Sequence, residues 1–235
     1  MPLTATAEAA GSGPSLALLR LCQLVSPALP VGAFNFSQGL EYAVEHGWVS
    51  GESGARDWIG GLAAQSVGRL DLPILLRMHA AWSRDDAADV RRWSQLLIAA
   101  RDTAELRAED RHMGLALAKL LADLGIDEAR CWIGSDTTSY AALFALAAQR
   151  WQIPPTQAAW GYLWAWIENQ VLAAIKLVPL GQTAGQRLIN QLLPRIPDIV
   201  ATAGQLADDD IGIATPMHGI ASAGHETQYT RLFRS

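Results

Sequence analysis

The chain has few lysines, few cysteines and little charge of either sign. Of its 235 residues, 17% are charged and 50% are hydrophobic, and the formal net charge is −5. Nucleic acid and anionic membranes attract basic proteins, so neither is expected as a partner. A chain of this length and hydrophobic content can bury one sizeable core, which predicts a single globular domain.

Cysteine is limited to Cys22 and Cys131, with no C-x-x-C pair. They are expected to be two buried thiols in a reducing compartment, not a disulfide or a zinc site. Residues 1–14 lack the basic start and apolar core of a signal peptide, which predicts a disordered N-terminal tail and a cytoplasmic protein.

No uninterrupted apolar run is long enough to suggest a membrane span. The most apolar stretch covers residues 158–178, but Glu168 and Lys176 interrupt it. Charges at the centre of a bilayer are costly, so this stretch is expected to be a core or interface helix.

Several catalytic and metal-binding motifs are absent. The sequence has no G-x-x-x-x-G-K-[ST] phosphate loop, no G-x-S-x-G nucleophile elbow and no H-E-x-x-H pair. None of its five histidines stands four residues from another, so no local metal site is expected. The prediction is a protein that is not an enzyme and has no catalytic residue, cofactor or resident metal.

The apolar residues recur at spacings of three and four, and no useful alternating segment is present. This pattern predicts an all-α fold, a single compact bundle of about ten helices over residues 15–207. A polar C-terminal segment follows over 208–235. We expect Ser37 to cap one helix and Asp71, with Pro73 in the first turn, to begin another.

The segment from Ser26 to Glu41 interrupts this helical pattern. Pro27, Pro30 and Gly32 disfavour helix there, so the following phenylalanines should lie on an extended entry into the next helix. Two interpretations remain open: a connector whose phenylalanines fill the core, or a surface for another protein.

The last eleven residues form a polar and aromatic tail. Tyr229, Leu232 and Phe233 stand at i, i+3 and i+4, so a helical tail would present one apolar stripe to a partner's groove. The alternative is that the tail docks on its own protein.

The run Ser-Pro-x-Leu-Pro-x-Gly-x-Phe, followed by Ser-x-Gly-Leu-Glu, spans residues 26–41 and resembles the N-terminal signature of the UreF family of urease accessory proteins. Residues 105–114, 179–188 and 225–235 resemble further stretches of that family. Asn35 and Gly224 depart from its usual pattern, and Gly224 stands where a basic residue is expected.

The resemblance implies an all-α, homodimeric urease maturation chaperone. It would bind UreD (also called UreH), recruit the nickel-carrying GTPase UreG and engage apo-urease, with modulation of GTP hydrolysis left open. The residues expected on the GTPase and dimer surfaces are Phe34, Ser37, Gln38, Glu41, Gln182, Gln186 and Arg187. Those expected in the UreD-binding tail are His225, Tyr229, Arg231, Leu232, Phe233 and Arg234.

An alternative is a metallochaperone that itself carries nickel. Imidazole suits this ion, and His218 together with the His225-Glu226 pair could supply transient ligands.

Overall fold

A computed structural model describes residues 16–212 and 215–235. Over these residues the secondary structure is helical, without a strand, which confirms the all-α prediction and the expectation of about ten helices. The predicted disordered tail, residues 1–14, lies outside the described residues.

Eleven α-helices occur in the described part of the chain. They are α1 (Leu16–Leu24), α2 (Leu40–Glu45), α3 (Gly51–Leu62), α4 (Leu72–Trp82), α5 (Ala87–Ala99), α6 (Ala104–Asp123), α7 (Tyr140–Arg150), α8 (Pro155–Leu177), α9 (Gln182–Leu192), α10 (Ile196–Gln205) and α11 (Pro216–Glu226). A π-helical segment, Ala63–Asp71, joins α3 to α4. Short 3-10 turns lie at Ala33–Asn35, Asp127–Trp132, Leu193–Arg195 and Asp208–Asp210.

Helix α7 lies at the centre of the bundle. Every residue from Ala141 to Ala148 is buried, and α4, α6 and α8 pack around it. Its alanines let the surrounding helices approach closely, while Phe144 fills the space between them. Full burial of a side chain such as Phe144 stabilises the fold by roughly 1.5–3 kcal/mol.

Of two predicted helix starts, one is wrong. Helix α2 begins at Leu40, not Ser37, because Gln38 and Gly39 adopt left-handed backbone conformations, with φ of 53° and 78°. The other start is confirmed: Asp71 is the N-cap residue of α4 and Pro73 lies in its first turn, although the π-helical segment carries the chain continuously from α3 into α4. A π turn accommodates an extra residue without ending the helix.

The C-terminal segment contains a helix that the periodicity did not indicate. Helix α11 packs against α2 and α6, and its Gly224 lies directly on the ring of Tyr42. A side chain at position 224 would collide with this ring, which gives a structural reason for the glycine.

The two cysteines are exposed, so the prediction that they are buried is wrong. Helix α8 is a core helix, with Leu163, Ile167 and Val171 buried. Across residues 16–212 and 215–235, no helix combines the length and apolarity that crossing a bilayer requires.

Candidate functional site

The segment between α1 and α2 folds back on itself before α2 begins. Gly32 has a φ of 77° and leads into the 3-10 turn, after which Phe36 is extended and buried. The side-chain amide of Asn169, in α8, donates to the Phe36 carbonyl oxygen at 3.2 Å. Phe34 lies on the outside, with 57% of its surface exposed.

The chain after α11, residues 227–235, lies along residues 35–41 and is called the docked tail. The main-chain N–H groups of Ser37 and Gln38 donate to the Ser235 carbonyl oxygen at 2.7 and 3.0 Å, and the Ser37 hydroxyl donates to the same oxygen at 2.6 Å. The Arg234 N–H donates to the Asn35 carbonyl oxygen at 2.8 Å. The two segments singled out by sequence therefore touch.

Glu41 is the main side-chain anchor of the docked tail. Its Oε1 accepts the Leu232 N–H at 2.6 Å and its Oε2 accepts the Phe233 N–H at 2.9 Å. Only 7% of Glu41 is exposed. Backbone N–H groups bonded to a buried carboxylate form strong, charge-assisted hydrogen bonds.

His225, at the end of α11, is fully buried between two carboxylates. Its Nε2 lies 3.2 Å from Glu41 Oε2 and its Nδ1 lies 2.7 Å from Glu105 Oε2. Each ring nitrogen thus lies within hydrogen-bonding distance of a carboxylate oxygen, so the imidazole bridges α2 and α6. Glu105 also accepts from the Arg231 guanidinium at 2.7 Å, which links α6, α11 and the docked tail.

Glu109 holds the end of the tail from one turn further along α6. It accepts hydrogen bonds from the Ser235 hydroxyl at 2.8 Å and from the Gln38 amide at 2.7 Å. Burial raises the pKa of Glu109 to about 7, although these two hydrogen bonds act in the opposite direction. The indole N–H of Trp166 donates to Oε1 of the same Gln38 amide at 2.8 Å.

Behind Gln38 and Glu109 lies a cavity of about 80 Å³, lined by both polar and apolar side chains. On its wall, Arg101 forms ion pairs with Asp71 at 2.5 Å and with Asp110 at 3.0 Å, and the Tyr162 hydroxyl bonds to Asp71. Burial favours neutral Arg101, but the two carboxylates hold its pKa well above the usual value. Burial also raises the pKa of Asp110.

His218 lines the same cavity from α11. Its Nε2 is buried and has no hydrogen-bond partner within the described residues, and burial lowers its pKa to about 4. His218 and His225 are the two histidines considered as nickel ligands. No three His, Cys, Asp or Glu side chains converge into a metal-ion site anywhere in residues 16–212 or 215–235.

The structure divides the predicted tail residues between two faces. The tail is not helical, so Tyr229, Leu232 and Phe233 do not form one stripe: Tyr229 and Leu232 are exposed, whereas Phe233 is buried. The Lys176 ammonium lies over the Phe233 ring, 5.3 Å from its centroid. Arg231 and Arg234 are exposed, and His225 is buried.

The predicted GTPase and dimer residues fall into two groups. Ser37 and Glu41 are buried under the docked tail, Gln38 is half-buried beside them, and Phe34 lies next to them on the surface. The remaining three residues are exposed on α9, and among the described residues no contact joins them to the docked tail. These are Gln182, Gln186 and Arg187, the last bonded to Glu52 of α3.

Three residues that hold the site were missing from the sequence-based set: Glu105, Glu109 and Ser235. The two glutamates stand four positions apart, so they share one face of α6. The sequence marks residues 105–114 only by their resemblance to the family. Glu105 and Glu109 are recognisable as site residues only in the folded chain, where α11 and the docked tail lie over them.

Comparison with known proteins points to the same family that the sequence motifs resemble. The UreF family model matches residues 49–193. A protein named urease accessory protein UreF from Alkalilimnicola ehrlichii is 51% identical over 224 residues, which cover 95% of this chain and 98% of the relative.

Proteins of the same name from Hahella chejuensis and Azoarcus sp. are 47% and 49% identical. The matches cover 94% and 95% of this chain and 100% and 98% of those relatives. They therefore include the N-terminal signature, residues 26–41, which the family model leaves outside its boundaries. Together these similarities show that the chain belongs to the UreF family of urease accessory proteins.

Proposed function

We propose that the chain performs its role in urease maturation as a scaffold that binds UreD (UreH) and recruits the GTPase UreG, so that nickel reaches apo-urease. One observation carries the proposal: the docked tail lies on the signature segment and is anchored by Glu41. The two segments expected to bind partners thus form one continuous surface.

The outer side of the docked tail is the proposed UreD surface. Tyr229 is fully exposed and Leu232 is 65% exposed, while Glu41 fixes the backbone between Leu232 and Phe233. Met217 and Ile220, at i and i+3 on α11, add two more exposed apolar side chains. A held backbone loses less conformational entropy on binding, which favours association.

Phe34 is the proposed contact for UreG. It is an exposed aromatic residue next to Asn35, whose carbonyl oxygen holds the Arg234 N–H. Aromatic residues are enriched among the side chains that dominate binding energy. Its position beside the docked tail couples the proposed GTPase surface to the proposed UreD surface.

Helix α9 is the proposed contact of a homodimer. Gln182, Gln186 and Arg187 are exposed there, and Arg187 already pairs with Glu52 through two hydrogen bonds. Amides and a guanidinium on one exposed helix can bond reciprocally across a two-fold axis. The assembled scaffold would then engage apo-urease, and nickel would be its cargo.

Co-purification with UreD tests the tail surface. A variant carrying Tyr229→Ala and Leu232→Ala removes exposed apolar area without touching the anchoring hydrogen bonds, so the fold should be retained and UreD binding lost. The matched control is Leu96→Ala, which truncates a leucine that is 42% exposed on α5. A double variant that still co-purifies with UreD as the wild type does would refute the tail assignment.

The substitution Phe34→Asp tests the GTPase surface. A charge placed in an apolar contact is costly to desolvate, so UreG recruitment should fail while the UreD complex persists. Loss of both partners would show instead that Phe34 has a structural role.

A further inference from the structure

A groove with a volume of about 380 Å³ runs between the π-helical segment and the first turns of α10. The two walls approach closely at Gly68, where an added Cβ would lie 2.8 Å from Ile199 Cγ2. The polar residues that line the groove are Gln65, Arg69, Arg195, Asp198 and Thr202. None of them belongs to the docked tail or to the residues that hold it.

Two guanidinium groups in this groove form no ion pair or hydrogen bond within the described residues. All sixteen arginines lie in the described residues, and the side chains of four make no hydrogen bond, ion pair or aromatic contact within them. Two of these four line the groove. The four are Arg69, Arg111, Arg195 and Arg234.

The two groove arginines differ in exposure, and neither side chain has an acceptor within the described residues. Arg69 is half-buried, and its Nε–H is shielded from solvent without an acceptor among the described residues. Arg195 is exposed, and its guanidinium lies over Gly60 of α3, close to the position that a Cβ would take there. A buried donor without an acceptor is unfavourable unless a ligand completes it, so such groups concentrate at functional sites.

We propose that this groove binds a short acidic segment of a protein partner, with Arg69 and Arg195 pairing with its carboxylates. Guanidinium groups match carboxylates through two parallel N–H···O hydrogen bonds. An isolated cationic groove on a protein of net charge −5 is a distinctive feature that an acidic partner can recognise.

The lining favours a peptide over a free phosphate. Asp198 offsets one of the two guanidinium charges, so the groove carries a net charge close to +1. Pro194, Ile199 and Ala64 provide an apolar floor, and the Gln65 amide can bond to a peptide backbone. Such mixed apolar and polar walls suit a peptide side chain flanked by carboxylates.

The test uses the full chain and a blocked peptide of sequence Gly-Glu-Leu-Asp-Gly, compared with Gly-Gln-Leu-Asn-Gly. Binding is followed by the ¹H–¹⁵N signals of arginine Nε–H groups at low ionic strength, where ionic attraction is least screened. The acidic peptide should shift the Arg69 signal and the amide peptide should not. Removing one charge-assisted pair by Arg69→Gln or Arg195→Gln should weaken binding about fivefold or more.

Arg111→Gln is the matched control. Arg111 lies outside the groove, is exposed, and forms no hydrogen bond or ion pair within the described residues. This variant should change the affinity less than about twofold, since only long-range charge is lost. Equal weakening by the control, or an unchanged Arg69 signal, would overturn the proposal. So would tighter binding of inorganic phosphate than of the acidic peptide. Loss of self-association in Arg69→Gln would assign the groove to a second copy of this chain and refute the acidic partner.

Discussion

The carboxylate of Glu41 accepts the main-chain N–H of Phe233 at 2.9 Å, across 192 positions of the sequence. Its other oxygen accepts the Leu232 N–H. A single signature side chain thus satisfies two consecutive backbone donors of the docked tail. Since a buried N–H without an acceptor is destabilising, the tail's path depends on this carboxylate.

Replacing Glu41 with Gln should loosen the docked tail. The amide keeps the shape but offers one acceptor oxygen in place of two, so one tail N–H loses its partner, at a cost of roughly 1–3 kcal/mol. Hydrogen exchange at Leu232 and Phe233 should become faster by about tenfold or more. Glu45→Gln, an exposed change on the same helix, is the control. Unchanged exchange in the Glu41 variant would contradict its anchoring role.

Stability should carry a pH dependence that originates at Glu109. Its pKa is about 7 in the folded chain against an ordinary value of 4.5, so between these pH values the folded state binds more protons than the unfolded state. Stability therefore falls as pH rises through this range, by at most roughly 3 kcal/mol in total. Arg101 and Asp110 also face Glu109, so the effect must be isolated by a variant.

Glu109→Gln mimics the protonated acid and should remove this dependence. Urea unfolding of the wild type and the variant would be compared at several pH values between 4.5 and 8. The difference between the two free energies of unfolding should widen in favour of the variant as pH rises. A constant difference would mean that Glu109 does not titrate near neutrality.

His218 should contribute a pH dependence of opposite sign. Its pKa is about 4 when folded against 6.5 ordinarily, so between these values the unfolded state binds more protons. Stability from this group rises with pH, by at most about 1.4 kcal/mol per pH unit. Urea unfolding of His218→Asn would be measured over the same pH values. The free energy of unfolding of the wild type minus that of the variant should rise with pH, and a constant difference would exclude this contribution.

Two glycines should respond to alanine in opposite directions. A Cβ on Gly114 would lie 2.7 Å from the Ser139 backbone, so Gly114→Ala should destabilise the chain by about 1–3 kcal/mol or more. Gly61 has open space around its Cβ position, so Gly61→Ala should stabilise α3 by up to about 1 kcal/mol. Chemical unfolding of both variants provides the comparison, and similar effects would contradict the close contact of α6 and α7.

The helical fold was accessible from the sequence because local signals agree with it. Thr103 caps α6 by accepting the Leu106 N–H, and Pro155 occupies the first turn of α8. The failures occur where tertiary contacts override local preference. Gln38 adopts a left-handed conformation because Glu109 and Trp166 bind its side chain. Helix α11 contains glycines, which disfavour helix but allow neighbouring residues to pack closely against it.

The sequence predicted which segments form the candidate site, but not how these segments are arranged. Spacing marked residues 26–41 and 225–235, but it could not show that Phe233 points inward while Leu232 points outward. That difference arises because both N–H groups converge on Glu41, which turns the tail away from helix.

By itself, the sequence determined the helical class, the absence of local catalytic motifs and the two segments that carry the family resemblance. These properties depend on residues close together in the chain, whose spacing and backbone preferences act locally. Only the tertiary structure decided which carboxylates are buried, because their burial requires α6, α11 and the docked tail to come together. The side-chain hydrogen bonds that hold the docked tail on the rest of the protein join residues between 126 and 198 positions apart, and no local pattern encodes such distances.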